Sequence, residues 1–157
     1  MSIEFIDLHA QQERISAKIN GRIAAVLAHG QFIMGPEVAE LETALSDFCG
    51  ARYSLGCANG TDALQLALMA LDIGAGDAVF VPSFTFASTA EVVPFTGAVP
   101  VFVDIDLTTY NMDSNSLKRC VRQARAEGLR PAVVIPVDLF GSPADYDEIT
   151  EVARNEG

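Results

Sequence analysis

Beyond Gly50 the chain alternates short apolar runs with helical patterns, and this rhythm limits its fold more than any other feature. The apolar runs are Tyr53 to Ala58, Ala78 to Val81, Val99 to Val103 and Ala132 to Val137. Helical patterns occupy Asp62 to Leu71, Ser114 to about Ala126 and Ala144 to about Asn155, and a further apolar run extends from Phe86 to Phe95. Runs of four to six apolar residues suit strands buried on both faces, and parallel strands need crossovers such as the intervening helices. The predicted class is α/β, a mostly parallel sheet with flanking helices. Gly74 to Asp77 and Gly97 fall at turns before strands, and Asn111 to Ser114 supplies an N-cap.

Two amphipathic helices are predicted ahead of this region. Ile15, Ile19, Ile23, Val26 and Leu27 recur at steps of three and four up to His29-Gly30. Val38, Leu41, Leu45 and Phe48 repeat that spacing, with Pro36 suited to the first turn and Gly50 to the C-cap. The expected organisation is a helical segment over 1–50 and an α/β domain over 51–157. The last unit runs to a helix end at Asn155 to Gly157 with no returning strand, so the domain is expected to be incomplete.

Composition narrows the function. The net charge of -11, with ten Lys and Arg residues spread along 157 positions, opposes binding to nucleic acid or an anionic membrane surface. Cys49, Cys57 and Cys120 form no C-x-x-C pair, so neither a disulfide framework nor a metal site is expected. The start has no basic segment followed by an apolar run, and no stretch approaches the ~20 apolar residues that span a bilayer. The expected location is the cytoplasm.

Three segments follow strand ends, where open α/β sheets hold their ligands. In Cys57-Ala58-Asn59-Gly60-Thr61-Asp62 a polar turn opens a helix, so the backbone of Gly60, Thr61 and Asp62 can cradle a phosphate; taken alone, it reads more simply as a capped helix. Pro82 to Thr89 offers two aromatic rings and four hydroxyls to a flat heteroaromatic group, or else ordinary packing and caps. Pro136 to Asp145 places Asp138 and Phe140 at a strand mouth, where a lone Asp is usually a turn residue.

Together these segments resemble a known family. Gly-Thr-Asp-Ala-Leu at 60–64, Phe-Thr-Phe-Ala-Ser-Thr at 84–89, Val-Phe-Val-Asp-Ile-Asp at 101–106, Leu-Phe-Gly-Ser-Pro-Ala-Asp at 139–145 and Gly-Gln-Phe-Ile-Met-Gly-Pro-Glu-Val at 30–38 are similar to the DegT/DnrJ/EryC1/StrS aminotransferases. The resemblance covers nearly the whole chain. It implies part of the large domain of a fold-type I enzyme dependent on pyridoxal 5'-phosphate, acting as a homodimer. The activity implied is transfer of an amino group, with glutamate as donor, to a keto sugar on a nucleotide carrier. It also implies that Gly60, Thr61 and Asp62 meet the cofactor phosphate and that Phe86 stacks on its ring. Phe32, Met34, Gly35 and Pro36 would border the sugar-nucleotide pocket. The opening Ile-Glu-Phe-Ile-Asp-Leu and the Ala-Asn-Gly-Thr-Asp-Ala-Leu block most resemble members acting on a 3-oxo UDP-sugar.

A transaminase also needs a Schiff-base lysine and a carboxylate on the pyridine nitrogen. The resemblance puts both beyond Gly157, and the lysines present, Lys18 and Lys118, match neither position. The chain is therefore expected to be an inactive N-terminal part of such an enzyme. Alternatives are a non-catalytic binding module, or a relative with His for the lysine that dehydrates its sugar. His9 and His29 have no counterpart in the family pattern and are assigned to no site.

Overall fold

The computed structural model describes residues 6–156. Residues 3–5 of the opening motif and Gly157, expected as a helix cap, lie outside the described residues. The chain divides into two compact units between Gly56 and Cys57.

In the first unit, α1 spans Leu8–His29 and α2 spans Pro36–Cys49. The Asp7 carboxylate accepts the Ala10 N–H at 2.9 Å to start α1, and Gly30 ends it with a left-handed φ of 69°. Pro36 opens α2 where its missing N–H costs nothing, and Gly50 closes it in the same left-handed conformation. Arg22 pairs with Glu40 at 2.7 Å, linking the two helices. Tyr53 to Ala58 corrects the sequence reading, since it forms no strand. A strand exists as a partner in a ladder, and no described strand runs beside it. Side chains of α2 take over part of its bonding: the Gly56 N–H donates to Glu42 Oε1 at 2.7 Å, and Ser46 Oγ donates to Ser54 Oγ at 3.0 Å.

The second unit contains α3 (Gly60–Ala70), β1 (Asp77–Pro82), α4 (Ser88–Glu91), β2 (Val99–Val103), α5 (Ser114–Ala126), β3 (Arg130–Val134) and α6 (Tyr146–Glu156). The three strands are parallel in the order β2-β1-β3. Every residue of the central β1 is buried. Its side chains alternate between the two faces, as the pleat requires. Ala78 and Phe80 pack with Leu117 and Val121 of α5 and Ile149 and Val152 of α6. Val79 and Val81 pack with Leu68 of α3 and with Val92, Val93 and Ala98. The result is three layers with a core on each side of the sheet.

The chain crosses from β1 to β2 over the Val79 face and returns from β2 to β3 over the Phe80 face. Parallel crossovers have one preferred hand, so reversing direction along the sheet demands a change of face. Two of the three strand prolines agree with this order, and the third, Pro82, is the last residue of β1. Pro100 and Pro131 lie in β2 and β3, and a residue without a backbone N–H belongs at a sheet edge or a bulge. At Pro131 the register slips, with Ala78 opposite Pro131 but Val79 opposite Val133, leaving Ala132 as the extra residue. β3 also begins and ends earlier than the Ala132 to Val137 run predicts. Its first residue, Arg130, grips Asp77 of β1 through two hydrogen bonds of 2.6 and 2.8 Å.

Candidate functional site

The carboxyl ends of the strands and the N-terminus of α3 lie at the same end of the second unit. α3 is about 16 Å long, at about 1.5 Å per residue, and β1 about 20 Å, at about 3.3 Å per residue. The short reversal through Asp72 to Gly76 therefore brings the start of the helix back to the level of the strand's end. α3 leads into β1 on one face of the sheet and β3 leads into α6 on the other, so the crevice between β1 and β3 is a switch point of the kind that accepts ligands.

At the start of α3, Asn59 Oδ1 accepts the Asp62 N–H at 2.9 Å, and Asn59 Nδ2 donates to Asp62 Oδ2 at 3.1 Å. Asp62 is thus engaged in the cap. The N–H groups of Gly60 and Thr61 and the Thr61 hydroxyl donate to no acceptor among the described residues. A Cβ on Gly60 would meet nothing within 4 Å, so the space before this turn is open. These free donors and the positive end of the helix macrodipole suit an anionic group.

After β1, the Ser83 N–H donates to the Val103 carbonyl at 2.8 Å, extending the pairing with β2 by one bond. The chain then leaves the sheet through Phe84 and Phe86, and the Phe86 ring is 76% exposed. Beyond β2, residues 104–113 form a braced loop. Asp106 Oδ1 accepts the N–H groups of Thr108 and Thr109 at 2.8 and 2.9 Å, bonds that hold its carboxyl below the usual carboxylate range, the one from Thr109 most strongly. The buried Asn111 amide joins this loop to the one after β3: Oδ1 accepts the Leu139 N–H at 3.3 Å, and Nδ2 donates to the Ser142 and Pro143 carbonyls at 3.0 and 2.9 Å. Tyr110, beside it, has a left-handed φ of 62°, and its ring stands 5.9 Å from Phe84 and 6.4 Å from Phe140. The sequence reading did not single out Tyr110 or Asn111. The usable signal was Asp106 two and three residues before Thr108 and Thr109, an Asx turn that fixes the loop.

Asp138, at the mouth of β3, accepts the Ala144 N–H at 2.9 Å and the Tyr146 hydroxyl at 3.0 Å. The latter bond raises the tyrosine's pKa above its ordinary value. This Asp is a turn residue, in keeping with the plainer sequence reading. A cavity of about 720 Å³ opens between the 106–115 and 143–148 segments. Asp106, Asp113, Asp145, Asp147 and Glu148 line it, and neither Gly60, Thr61, Asp62 nor Phe86 does. Such a wall repels a phosphate. Among the described residues no group of three or more His, Cys, Asp and Glu side chains could hold a metal ion, and no helix is long and apolar enough to cross a membrane.

In the first unit, Phe32, Ile33 and Met34 form an exposed apolar tip between α1 and α2. Its base is tightly made. A Cβ on Gly35 would fall 2.4 Å from the Gln31 carbonyl oxygen, so only glycine fits there. The Gln31 N–H donates to His29 Nδ1 at 3.0 Å, and the other ring nitrogen meets Glu37 Oε1 at 3.2 Å. His29 is thereby placed as a clasp at the loop's base, while Lys18 is exposed on α1 and Lys118 half-buried on α5.

A model of the DegT/DnrJ/EryC1/StrS aminotransferase family matches residues 13–157. The UDP-2-acetamido-2-deoxy-3-oxo-D-glucuronate aminotransferase of Pseudomonas aeruginosa is 52% identical over 155 residues, which cover 99% of this chain and 42% of that protein. A DegT DnrJ EryC1 StrS aminotransferase from Brucella abortus superposes with a TM-score of 0.94 at 52% identity, again over 99% of this chain and 42% of the other. DesV of S. venezuelae, solved in complex with a ketimine intermediate, superposes with a TM-score of 0.87 at 35% identity, over 99% of this chain and 40% of the other. The chain thus spans about two fifths of the length of the first two relatives.

Proposed function

Because the chain belongs to the DegT/DnrJ/EryC1/StrS aminotransferase family, we propose that the whole protein carrying it transfers an amino group, from glutamate, to the keto carbon of a 3-oxo UDP-sugar, using pyridoxal 5'-phosphate. The carrying observation is the start of α3, where Gly60 and Thr61 keep free donors beside open space. This fits the cofactor's phosphate. The substrate class follows the 52% identity to the Pseudomonas 3-oxo-glucuronate aminotransferase.

Bound there, the cofactor would supply an electron sink and would carry the amino group between donor and acceptor. The chain's own residues hold and enclose it. Gly60 and Thr61 donate backbone N–H groups to the phosphate, and the Thr61 hydroxyl adds a third donor. Asp62 keeps the turn in shape through Asn59. The exposed Phe86 ring covers one face of the heteroaromatic ring and keeps water from it. Phe32, Met34, Gly35 and Pro36 border the sugar-nucleotide pocket of a cytoplasmic homodimer, the apolar tip held in place by the steric demand at Gly35. The lysine that carries the cofactor belongs to the part of the protein outside these 157 residues.

Two experiments test this reading. The whole protein, supplied with glutamate and a 3-oxo UDP-sugar, is expected to release 2-oxoglutarate and an amino sugar. Turnover confined to keto sugars on another nucleotide would overturn the substrate class, and no turnover on any keto sugar nucleotide would overturn the activity. The 157-residue chain alone, treated with pyridoxal phosphate and borohydride, is expected to gain no stoichiometric label. A single full label on Lys18 or Lys118 would place the carrier lysine inside this chain.

A further inference from the structure

The rings of Phe84, Tyr110 and Phe140 arise from the segments that follow β1, β2 and β3 respectively, and they meet in one row at the carboxyl end of the sheet. Their separations of 5.9 and 6.4 Å lie within the range where aromatic pairs attract beyond simple burial. Two of the three sit in the left-handed region, Tyr110 at φ 62° and Phe140 at φ 56°. Bulky residues adopt that conformation only where the surroundings impose it, and such positions gather at functional sites. Here the imposing structure is plain. The Tyr110 N–H donates to the Asp106 carbonyl at 2.8 Å, the Asp106 N–H to the Asn111 carbonyl at 2.9 Å, and Ile105 bridges Met112. The buried Asn111 then locks this loop onto the Phe140 turn. Polar bonds on one side and ring contacts on the other converge on Tyr110, which touches the only segment that carries Phe86, two residues beyond Phe84.

We propose that Tyr110 is a positioning residue: wedged between Phe84 and Phe140, it sets the path of the Phe84–Phe86 segment and so the orientation of the Phe86 ring over the cofactor. This rests on the reading of Phe86 as a ring platform. Tyr110 meets Phe84 and Phe140 through its ring, so the ring is taken as the working part.

The test uses the whole protein and pyridoxal phosphate, with affinity read by titration and geometry by the circular dichroism of the bound cofactor in its visible band. Tyr110→Phe keeps the ring and is expected to match the unsubstituted protein in both. Tyr110→Gly removes the ring while relieving the left-handed backbone, and is expected to weaken binding roughly three- to tenfold, the scale of lost aromatic contacts. It is also expected to alter the dichroic band. Phe140→Gly, at an 81% exposed position that carries no core, is expected to shift both in the same direction by less, and serves if Tyr110→Gly fails to fold. Unchanged affinity and dichroism in the folded Gly variants, with Phe86→Ala still weakening binding, would overturn the positioning role alone. Unchanged binding in Phe86→Ala as well would overturn the platform reading on which it rests. Impairment by Tyr110→Phe equal to that of Tyr110→Gly would also overturn it, since the hydroxyl would then be the working part.

Discussion

Ile15, Ile19 and Ile23 line one side of α1 and remain 39%, 43% and 53% exposed, whereas Val79 and Val81 in β1 are fully buried. Both regions have a regular apolar pattern, and both are well-formed secondary structure. They differ in partners. Each face of β1 meets its own helical layer, while neither α1 nor α2 buries a single helical residue. A 3.6-residue apolar period announces a face; only tertiary contact turns it into a core. The stripe on α1 and α2, together with the tip at Phe32 to Met34, is the exposed apolar surface expected of a region that docks onto more protein.

The contrast can be broken by mutation. Phe80→Ala, at a site 2% exposed with packing against α5 and α6, is expected to cost about 3–5 kcal/mol of unfolding free energy. Ile19→Ala is expected to cost about 1 kcal/mol or less in the 157-residue chain studied as a monomer. Denaturant unfolding of both variants makes the comparison, and equal losses would mean that α1 already has a core of its own. A smaller effect sharpens the account of the second unit. Asn111→Ala leaves the Leu139 N–H and two carbonyls without their partner, at a cost of about 1–3 kcal/mol by the same measurement. A loss below about 0.5 kcal/mol would show that the loops after β2 and β3 hold together without it.

The smallest expected effect is electrostatic. The Arg130 guanidinium, followed by the Gly74 N–H, holds the Asp77 carboxyl below its ordinary value of 3.8. Because the folded-state pKa is the lower one, this contribution is complete above the unfolded value and disappears as pH falls through the folded one. Unfolding midpoints followed from pH 6 down to pH 2 should therefore decline less steeply below about pH 4 in Asp77→Asn than in the unsubstituted chain. Parallel curves would remove Asp77 from the account of acid sensitivity.

Much of the second unit was legible because its signals are local. Val99–Val103 and Ser114–Ala126 form as read, since a β-branched apolar run and a capped amphipathic stretch need no distant information, although β2 buries only Val103 and not both of its faces. Tyr53 to Ala58 misled because an apolar run states a preference for burial and not the presence of a neighbouring strand. β3 starts earlier than its apolar run because Arg130 and Pro131 pair with Asp77 and Ala78 of β1, 53 residues away, a contact that no window of sequence contains. At the site, the helix start at Gly60 was readable from Asn59 and its neighbours. The left-handed Tyr110 was not, because its conformation comes from Asp106 and Asn111 acting together.

The proposed cofactor site stands on Phe86 as much as on the start of α3. Pyridoxal phosphate titrated into the whole protein and into its Phe86→Ala variant separates platform from packing. The variant should bind more weakly by about 1–3 kcal/mol, the scale of losing an aromatic stack, with its unfolding midpoint without cofactor little changed because the ring is 76% exposed. Equal affinity in the two proteins would contradict the site.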